Sequence, residues 1–198
     1  RSGTMIKIST KMTPDIIDLR KKCYAQYDYI GYDWADYRVR EIIHIKAIQN
    51  DKLVGSGRIV FGPTLPCGLI YNLSDLEIRD FEVGRTCIDP DIKNPIVKYK
   101  ILSEMIKKTI AVCLLTDCNR LFTGANACNS FLYKNLVGFE EVAGPEAYTP
   151  CKEKKISLLA LNFDKEYTQR KRGFFNLDEK YIEATKDEID FMGMGHWL

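Results

Sequence analysis

The clearest periodic pattern in the chain is a mostly apolar stripe between residues 96 and 117. Its members recur at every fourth position, with further apolar residues beside them, while the lysines fall largely on the other side. This spacing predicts one long amphipathic helix over residues 96–117. The stripe consists of Val97, Ile101, Met105, Thr109 and Cys113, flanked by Leu102, Ile106 and Ile110.

Shorter apolar runs bounded by turn residues predict the strands that accompany this helix. Asn50, Asp51 and Lys52 would close a hairpin between two of them. Prolines and glycine at residues 63–68 predict a loop, followed by a short extended stretch at 69–71. The predicted strands cover residues 5–10, 42–49, 53–61, 80–87, 119–124, 139–142 and 155–161.

Three further helices are predicted over residues 15–26, 127–136 and 178–189. The first begins at Thr13, whose hydroxyl can cap it, and Pro14 takes the first helical position. The order of elements predicts a single-domain α/β (α+β) protein with a mixed central sheet and helices on both faces. The charged tail from residue 164 is expected to dock through its apolar end, namely Phe191, Met192, Trp197 and Leu198.

Composition and charge narrow the class of protein. The 198 residues carry 29 Lys+Arg and 27 Asp+Glu, a net charge of +2 that does not suggest a nucleic-acid partner. No apolar run reaches the ~18 residues of a membrane span. The seven cysteines include no C-x-x-C pair, which favours reduced thiols and a cytoplasmic location over a zinc or disulfide framework. Residues 1–4 resemble a cloning remnant, so the domain is expected to span residues 5–198.

Residues 27–37 combine four tyrosines and Trp34 with three aspartates and show no clean period. Such a segment is typical of a loop or a broken helix. Its aromatic side chains could wall an apolar ligand pocket, or they could simply pack on the core. The sequence leaves both readings open.

A family signature lies between residues 126 and 139. Its helix-then-strand pattern resembles the C-terminal signature of the GCN5-related N-acyltransferase (GNAT) superfamily, whose tyrosine stands one residue closer to the glycine. The resemblance implies a GNAT-like fold and a tyrosine that protonates a leaving thiolate, here Tyr133. The matching residues are Asn126, Ser130, Phe131, Leu132, Tyr133, Gly138 and Phe139.

A second signature lies in the strand predicted at residues 80–87. Glu82 and Arg85 form an E-x-x-R pattern, and Arg58 ends the preceding Gly-Ser-Gly-Arg sequence. This combination is similar to that of the acyl-homoserine-lactone synthases, which share the GNAT superfold. Their N-terminal arginine, tryptophan and aspartate are matched more loosely, by Arg20, Trp34 and Asp36.

The turn before the long helix differs from that of GNAT enzymes that use coenzyme A. Those enzymes offer the N–H groups of a glycine-rich turn to the donor's pyrophosphate. Here residues 91–99 contain no glycine, and Pro95 removes one donor. The resemblance therefore implies an acyl group on the phosphopantetheine arm of an acyl carrier protein and no bound cofactor. It is closest to the bacterial N-acyl amino acid synthases, including N-acyl tyrosine synthases, which make natural products from long-chain fatty acyl groups.

Amide formation from a thioester needs a base for the amine and an acid for the departing thiolate. His44 and His196 lie outside the central block, so a histidine-based triad is not expected. Glu82, acting through water, is the candidate base. It could instead form an ion pair with Arg85, which would need a β-bulge, and Gly84 suits a bulge.

The remaining candidates would bind the substrates. Arg58 and Arg85 would hold the acceptor's carboxylate in a bidentate pair. The oxyanion would meet backbone N–H groups near Cys87 or Ile88, where the central strand separates from its neighbour. Cys87 is interpreted as a structural thiol. The side chains expected to line the acyl or acceptor site are Tyr32, Trp34 and Phe122.

Two basic clusters could attract an acidic acyl carrier protein, or could simply be solvated faces. One consists of Lys93, Lys98 and Lys100, and the other covers residues 170–172. Two alternative functions stay open at this stage. One is an acyl-homoserine-lactone synthase that uses S-adenosylmethionine, and the other is a non-catalytic acyl- or amino-acid-binding module of the same fold.

Overall fold

The structure is a computed structural model that describes residues 3–25, 41–147, 155–164 and 175–198. Seven strands in these ranges form one sheet, in the order β1-β2-β3-β4-β5-β7-β6. The central pair β4 and β5 is parallel, and the other described pairs are antiparallel. The strands are β1 (Met5–Ser9), β2 (Ile42–Gln49), β3 (Lys52–Phe61), β4 (Asp80–Ile88), β5 (Arg120–Ala125), β6 (Glu140–Ala147) and β7 (Lys155–Asn162).

Helices cover both faces of the sheet, as the order of elements predicted. The long helix α3 and the C-terminal helix α5 pack on one face, while α1 and α2 pack on the other. The helices are α1 (Pro14–Tyr24), α2 (Pro66–Tyr71), α3 (Pro95–Leu115), α4 (Ala127–Leu132) with a π-helical turn at Tyr133–Val137, and α5 (Glu179–Phe191) with a 3-10 turn at Gly195–Trp197.

Strand β2 contributes apolar side chains to both faces of the sheet, and both faces are buried. Successive side chains of a strand point in opposite directions. Ile43 and Ile45 join the core beneath α3, whereas Ile42 packs with Leu65 and Cys67 beneath α2. A strand that is covered on both sides reads as a nearly continuous apolar run, which is what residues 42–45 show around the buried His44.

Three local predictions were wrong. Residues 66–71 form helix α2, because Pro66 takes its first turn and Asn72 ends it with a left-handed φ of 52°. Thr13 occupies the N-cap of α1, but its hydroxyl bonds the Asp15 carboxylate and not a helix N–H. Phe191 does not dock, since 93% of it is exposed.

The end of the chain is part of the core, as expected for Trp197. Its ring packs against Phe61 and Phe81, with centroids 5.0 and 5.6 Å away. The indole N–H donates to Glu41 Oε2 at 2.7 Å, and the Trp197 carbonyl accepts from Arg79 at 2.9 Å. The tail therefore fills the end of the sheet next to β3 and β4.

Replacing Trp197 with alanine should lower the free energy of unfolding by about 3–5 kcal/mol, because a buried aromatic side chain leaves a cavity. Denaturant unfolding measures the change. Phe191→Ala is the matched control in the same tail and should change stability little, since its ring is already in solvent. Equal effects of the two substitutions would contradict the docking of the tail.

A buried carboxylate holds three segments together where β4 ends. Asp89 Oδ1 accepts from Lys22 of α1 at 2.7 Å and from the Asp91 N–H at 3.1 Å, while Oδ2 lies 3.0 Å from Lys52 of the β2–β3 hairpin. Burial alone would raise the pKa of Asp89, but the hydrogen bonds from Lys22, the Asp91 N–H and Lys52 outweigh it and lower the pKa to about 2. Asp89 thus ties α1 and the hairpin to the turn before α3.

Asp89→Asn should destabilise the protein at neutral pH by about 1–3 kcal/mol, a range whose lower half is favoured because both lysines are largely solvated. The folded pKa lies below the unfolded value of about 3.9. The stabilisation is therefore present above that value and is lost as the pH falls through about 2. Unfolding free energies of the two proteins should converge over this window; a constant difference would contradict the ionic role of Asp89.

Candidate active site

The two central strands separate and leave an opening between them. Parallel pairing of β4 with β5 ends at Glu82 and Phe122, although β4 continues to Ile88 and β5 to Ala125. A cavity of about 500 Å³ fills the opening. Its walls come mainly from β4, β5, α2, α3 and α4, with further residues from α1, β3 and β7, and the sequence had placed its candidate chemistry here.

A β-bulge in β4 arranges the side chains along one wall. Ser56 and Arg58 of β3 pair with Cys87 and Gly84, so two steps along β3 match three steps along β4. The extra residue is Arg85, whose φ of 50° lies in the left-handed region. Gly84 suited a bulge in the sequence, and the bulged residue is its neighbour Arg85. It reverses the strand's alternation, so that Glu82, Arg85, Thr86 and Cys87 all line the cavity.

Glu82 is a buried carboxylate with defined partners. It is 7% exposed, and its Oε2 accepts from the Cys67 N–H of α2 at 2.7 Å. Burial raises the pKa of Glu82 above its usual range, while Arg58, the Cys67 hydrogen bonds and Arg85 act in the opposite direction. A carboxylate of raised pKa in a cavity is a stronger base than one in water, which suits proton abstraction from an amine. A Cβ added at Gly84 would lie 3.4 Å from Glu82 Oε1, in van der Waals contact with the carboxylate.

The two arginines occupy different positions around this carboxylate. The Arg58 guanidinium is buried, and its Nη2 lies 3.8 Å from Glu82 Oε1. Arg85 stands on the bulge and is half-buried in the cavity wall. Arg58, from the neighbouring strand, is thus within ion-pair distance of Glu82. Both guanidinium groups still line the cavity, where a carboxylate ligand could meet them.

Tyr133 begins the π-helical turn and lines the same cavity. The extra residue between Tyr133 and Gly138 is absorbed by this turn, because a π-helix holds one more residue per hydrogen-bonded turn than an α-helix. The Tyr133 ring packs against the Phe139 ring, with the two centroids 5.5 Å apart. Burial raises the pKa of Tyr133, opposed by a hydrogen bond with the Thr86 side chain. The phenol therefore keeps its proton at neutral pH and could donate it.

The other predicted residues fall into three groups. Cys87 and Ile88 line the cavity, and hydrogen bonding to Cys23 together with burial raises the pKa of the Cys87 thiol, in agreement with a structural role. Phe122 is buried beneath α2 and does not reach the cavity wall, so the structure does not support its substrate-binding role. Tyr32, Trp34 and Asp36 lie outside the described residues, as do residues 170–172.

The three predicted docking lysines do not share one surface. Lys98 turns toward the interior and lines the cavity, whereas Lys93 and Lys100 are exposed outside it. Arg20, matched to the N-terminal arginine of the lactone synthases, is fully buried, with Nη2 3.4 Å from His44 Nδ1. It packs behind the site and does not line it.

Several cavity residues were not assigned from the sequence. The Cys67 N–H was missed because residues 66–71 were read as loop and extended chain. Asn126 belongs to the family signature, but nothing in the sequence indicated that it would line the cavity. The main additions to the cavity wall are Tyr24, Tyr71, Thr86, Leu102, Thr123, Asn126 and Asn129.

No cluster of three or more His, Cys, Asp or Glu side chains in the described ranges could hold a metal ion. Likewise, none of the described helices is both long and apolar enough to cross a membrane.

Comparison with known proteins identifies the family. The sequence matches the family N-acyl amino acid synthase FeeM over residues 15–162. The chain belongs to this family of N-acyl amino acid synthases. It is therefore an N-acyltransferase, and α5 and the tail lie beyond the matched region. A comparison with curated proteins finds no significant match.

Solved structures with the same fold include enzymes of related chemistry. FeeM, an N-acyl amino acid synthase from uncultured soil microbes, has a TM-score of 0.59 at 16% identity, over 84% of this chain and 94% of that one. The AHL synthase LasI has a TM-score of 0.67 at 13% identity, over 83% of this chain and 92% of that one. An acyl-CoA N-acyltransferase from Pseudomonas aeruginosa has a TM-score of 0.58 at 13% identity, over 80% of this chain and 99% of that one. At these identities the likeness shows the fold, which is the predicted GNAT fold.

Glu82→Gln should lower kcat/KM by about 10²–10⁴, because the amide cannot accept the amine's proton. A base must be ionised, so the wild-type enzyme should lose activity with falling pH along a limb above the usual glutamate value of about 4.3. This limb should be absent in the variant, while the acceptor amine, with a pKa of about 8, titrates in both. Initial rates across pH measure the profiles.

Glu140→Gln removes an exposed carboxylate of β6 and is the matched control, with an expected profile like that of the wild type. Wild-type rates and an unchanged acidic limb in Glu82→Gln would leave Glu82 without a role in proton transfer.

Proposed function

We propose that this enzyme transfers a long-chain acyl group from the phosphopantetheine arm of an acyl carrier protein to the α-amine of an amino acid, with tyrosine the first acceptor to test. The products are an N-acyl amino acid and the free pantetheine thiol. The family supplies the acyltransferase reaction and the amino acid class of acceptor. The choice of donor is supported chiefly by one feature of this chain, the N-terminus of α3.

That N-terminus has its backbone donors already occupied. Pro95, the first residue of α3, has no N–H. The next two N–H groups, of Ile96 and Val97, donate to the side chain of Asn94 at 2.9 and 3.4 Å. The Lys98 N–H then begins the regular helix ladder by donating to the Asn94 carbonyl at 3.1 Å. A pyrophosphate cradle needs free N–H groups at a helix N-terminus, so this helix start favours a donor without a nucleotide diphosphate.

The cavity residues can be placed along the reaction in order. Glu82 removes a proton from the acceptor's ammonium group, directly or through water, and the amine nitrogen attacks the thioester carbonyl carbon. Beyond Glu82, the edge of β4 no longer pairs with β5. The backbone N–H groups on that edge stabilise the oxyanion. Collapse of the intermediate breaks the carbon–sulfur bond, and the departing thiolate takes a proton from Tyr133. The nitrogen still carries one proton more than the amide needs, and it releases that proton through water to restore the Tyr133 phenol.

The acceptor end of the cavity suits an amino acid. Arg85 and Arg58 would hold its carboxylate, and their charge opposes the burial that raises the pKa of the neighbouring Glu82. Tyr24 and Tyr71 in the same walls offer aromatic contact to an apolar substituent. Tyrosine as the acceptor rests on the family resemblance, because these contacts would suit several apolar side chains.

Initial rates with three donors that carry the same acyl chain test the choice of donor. Acyl carrier protein should be the best donor, and acyl-coenzyme A should match acyl-phosphopantetheine in kcat/KM within about threefold, since the nucleotide would gain no cradle. An advantage of tenfold or more for acyl-coenzyme A over acyl-phosphopantetheine would contradict the proposal. Mass spectrometry of organic extracts from expressing bacteria should show N-acyl tyrosine or another N-acyl amino acid. Acyl-homoserine lactones alone would favour the lactone-synthase function.

A further inference from the structure

We infer that the first two turns of α3 are the docking surface for the acyl carrier protein. Ile96 and Tyr99 would form its apolar centre, Lys93 and Lys100 its basic rim, and Lys98 the contact with the phosphate of the prosthetic arm. This inference rests on the proposed donor. It goes beyond that proposal by dividing the residues into three roles that separate experiments can distinguish.

The apolar centre is an exposed pair on a helix that is otherwise well packed. Ile96 is 65% exposed and Tyr99 is 49% exposed. Residues three apart on a helix are neighbours on one face, so the two side chains form a single patch. Lys100, one turn after Ile96, is exposed beside them, and Lys93 precedes the helix. Exposed aromatic and branched apolar side chains within a charged rim are typical of protein interfaces.

The charge of this surface fits an acidic partner. The nearest preceding carboxylates, Asp89 and Asp91, are both ion-paired with Lys22. Glu104, one turn beyond Lys100, is the nearest carboxylate that follows in the helix. The lysines around Ile96 and Tyr99 therefore outnumber uncompensated carboxylates. Long-range attraction of an acidic carrier protein to such a patch accelerates its encounter with the enzyme.

The position of Ile96 and Tyr99 relative to the cavity also favours a docking role. Lys98 and Leu102 lie on the adjoining face of the same two turns, with Leu102 one turn after Tyr99, and both line the cavity that leads to Glu82 and Tyr133. A carrier bound over Ile96 and Tyr99 would thus release its arm directly into the cavity. The arm carries one phosphate near the carrier protein, and Lys98 is the lysine in the cavity wall that could meet it. One lysine suits one phosphate, where the glycine-free turn offers nothing for a diphosphate.

The test uses three donors with the same acyl chain: acyl carrier protein, acyl-phosphopantetheine and acyl-pantetheine. Ile96→Asp combined with Tyr99→Asp should raise KM for the carrier-bound donor about tenfold or more and leave both free donors within about twofold. Lys98→Gln should weaken the two phosphate-bearing donors and spare acyl-pantetheine. Ile78→Asp combined with Phe191→Asp is the matched control, because it places the same charges on two other exposed apolar residues.

Three outcomes would overturn the inference. Unchanged kinetics with the carrier-bound donor would show that the surface does not bind it. An equal loss with all three donors, in protein of unchanged melting temperature, would show an effect on the active site. A change from dimer to monomer by light scattering, with carrier kinetics retained, would assign the patch to a second copy of the chain. Wild-type enzyme that ignores the carrier-bound donor would instead refute the proposed function, and this inference with it.

Discussion

The separation of β4 from β5 beyond Glu82 is the constraint on which the rest of the site depends. A sheet that paired to its full length would leave no cavity and would satisfy the β4 edge with β5. The bulge at Arg85 adds the second half of the arrangement, since it reverses the alternation of side chains where the strands part. Glu82, Arg85 and Tyr133 then face one space, although simple alternation would send the first two to opposite faces of the sheet.

Burial of Glu82 raises the pKa of its carboxyl group and also carries a cost in stability. A carboxylate taken out of water raises its pKa and becomes a better base, but it destabilises the folded protein unless it is paired. Arg58 and the Cys67 N–H supply that pairing from β3 and α2, two elements that the sheet holds against β4. Asp89 acts differently at the other end of the strand, where three hydrogen bonds lower its pKa and hold the turn before α3 in place. The two carboxylates thus differ in their surroundings: Glu82 on β4 has a raised pKa, whereas Asp89 just beyond the strand has a lowered one.

Much of this arrangement could be predicted from the sequence, and the exceptions have physical reasons. Strands and long helices follow from periodic burial, so β2, β3, α3 and the docking of Trp197 were predictable. Helix α2 was not, because a six-residue helix with two breakers has too few turns to show a period. The π-helical turn at Tyr133 looked like a spacing mismatch, since one added residue does not reveal whether a helix or a loop absorbs it. The partner of Glu82 was missed because Arg58 reaches it across strands, and cross-strand register is not written in local spacing.

The occupied N-terminus of α3 links the fold to the choice of donor. In the proposed reaction the thioester enters the opening between the central strands, and the turn before α3 lies at the rim of that opening, where one donor would be distinguished from another. The central claim is that the thioester is attacked in this opening beside Glu82. A crystal structure with an acyl-pantetheine analogue whose sulfur is replaced by a methylene group tests it most directly. The account predicts the ketone oxygen on backbone N–H groups of β4 near Cys87 and Ile88, with Tyr133 facing the methylene. An analogue seated elsewhere, with the opening empty, would contradict it.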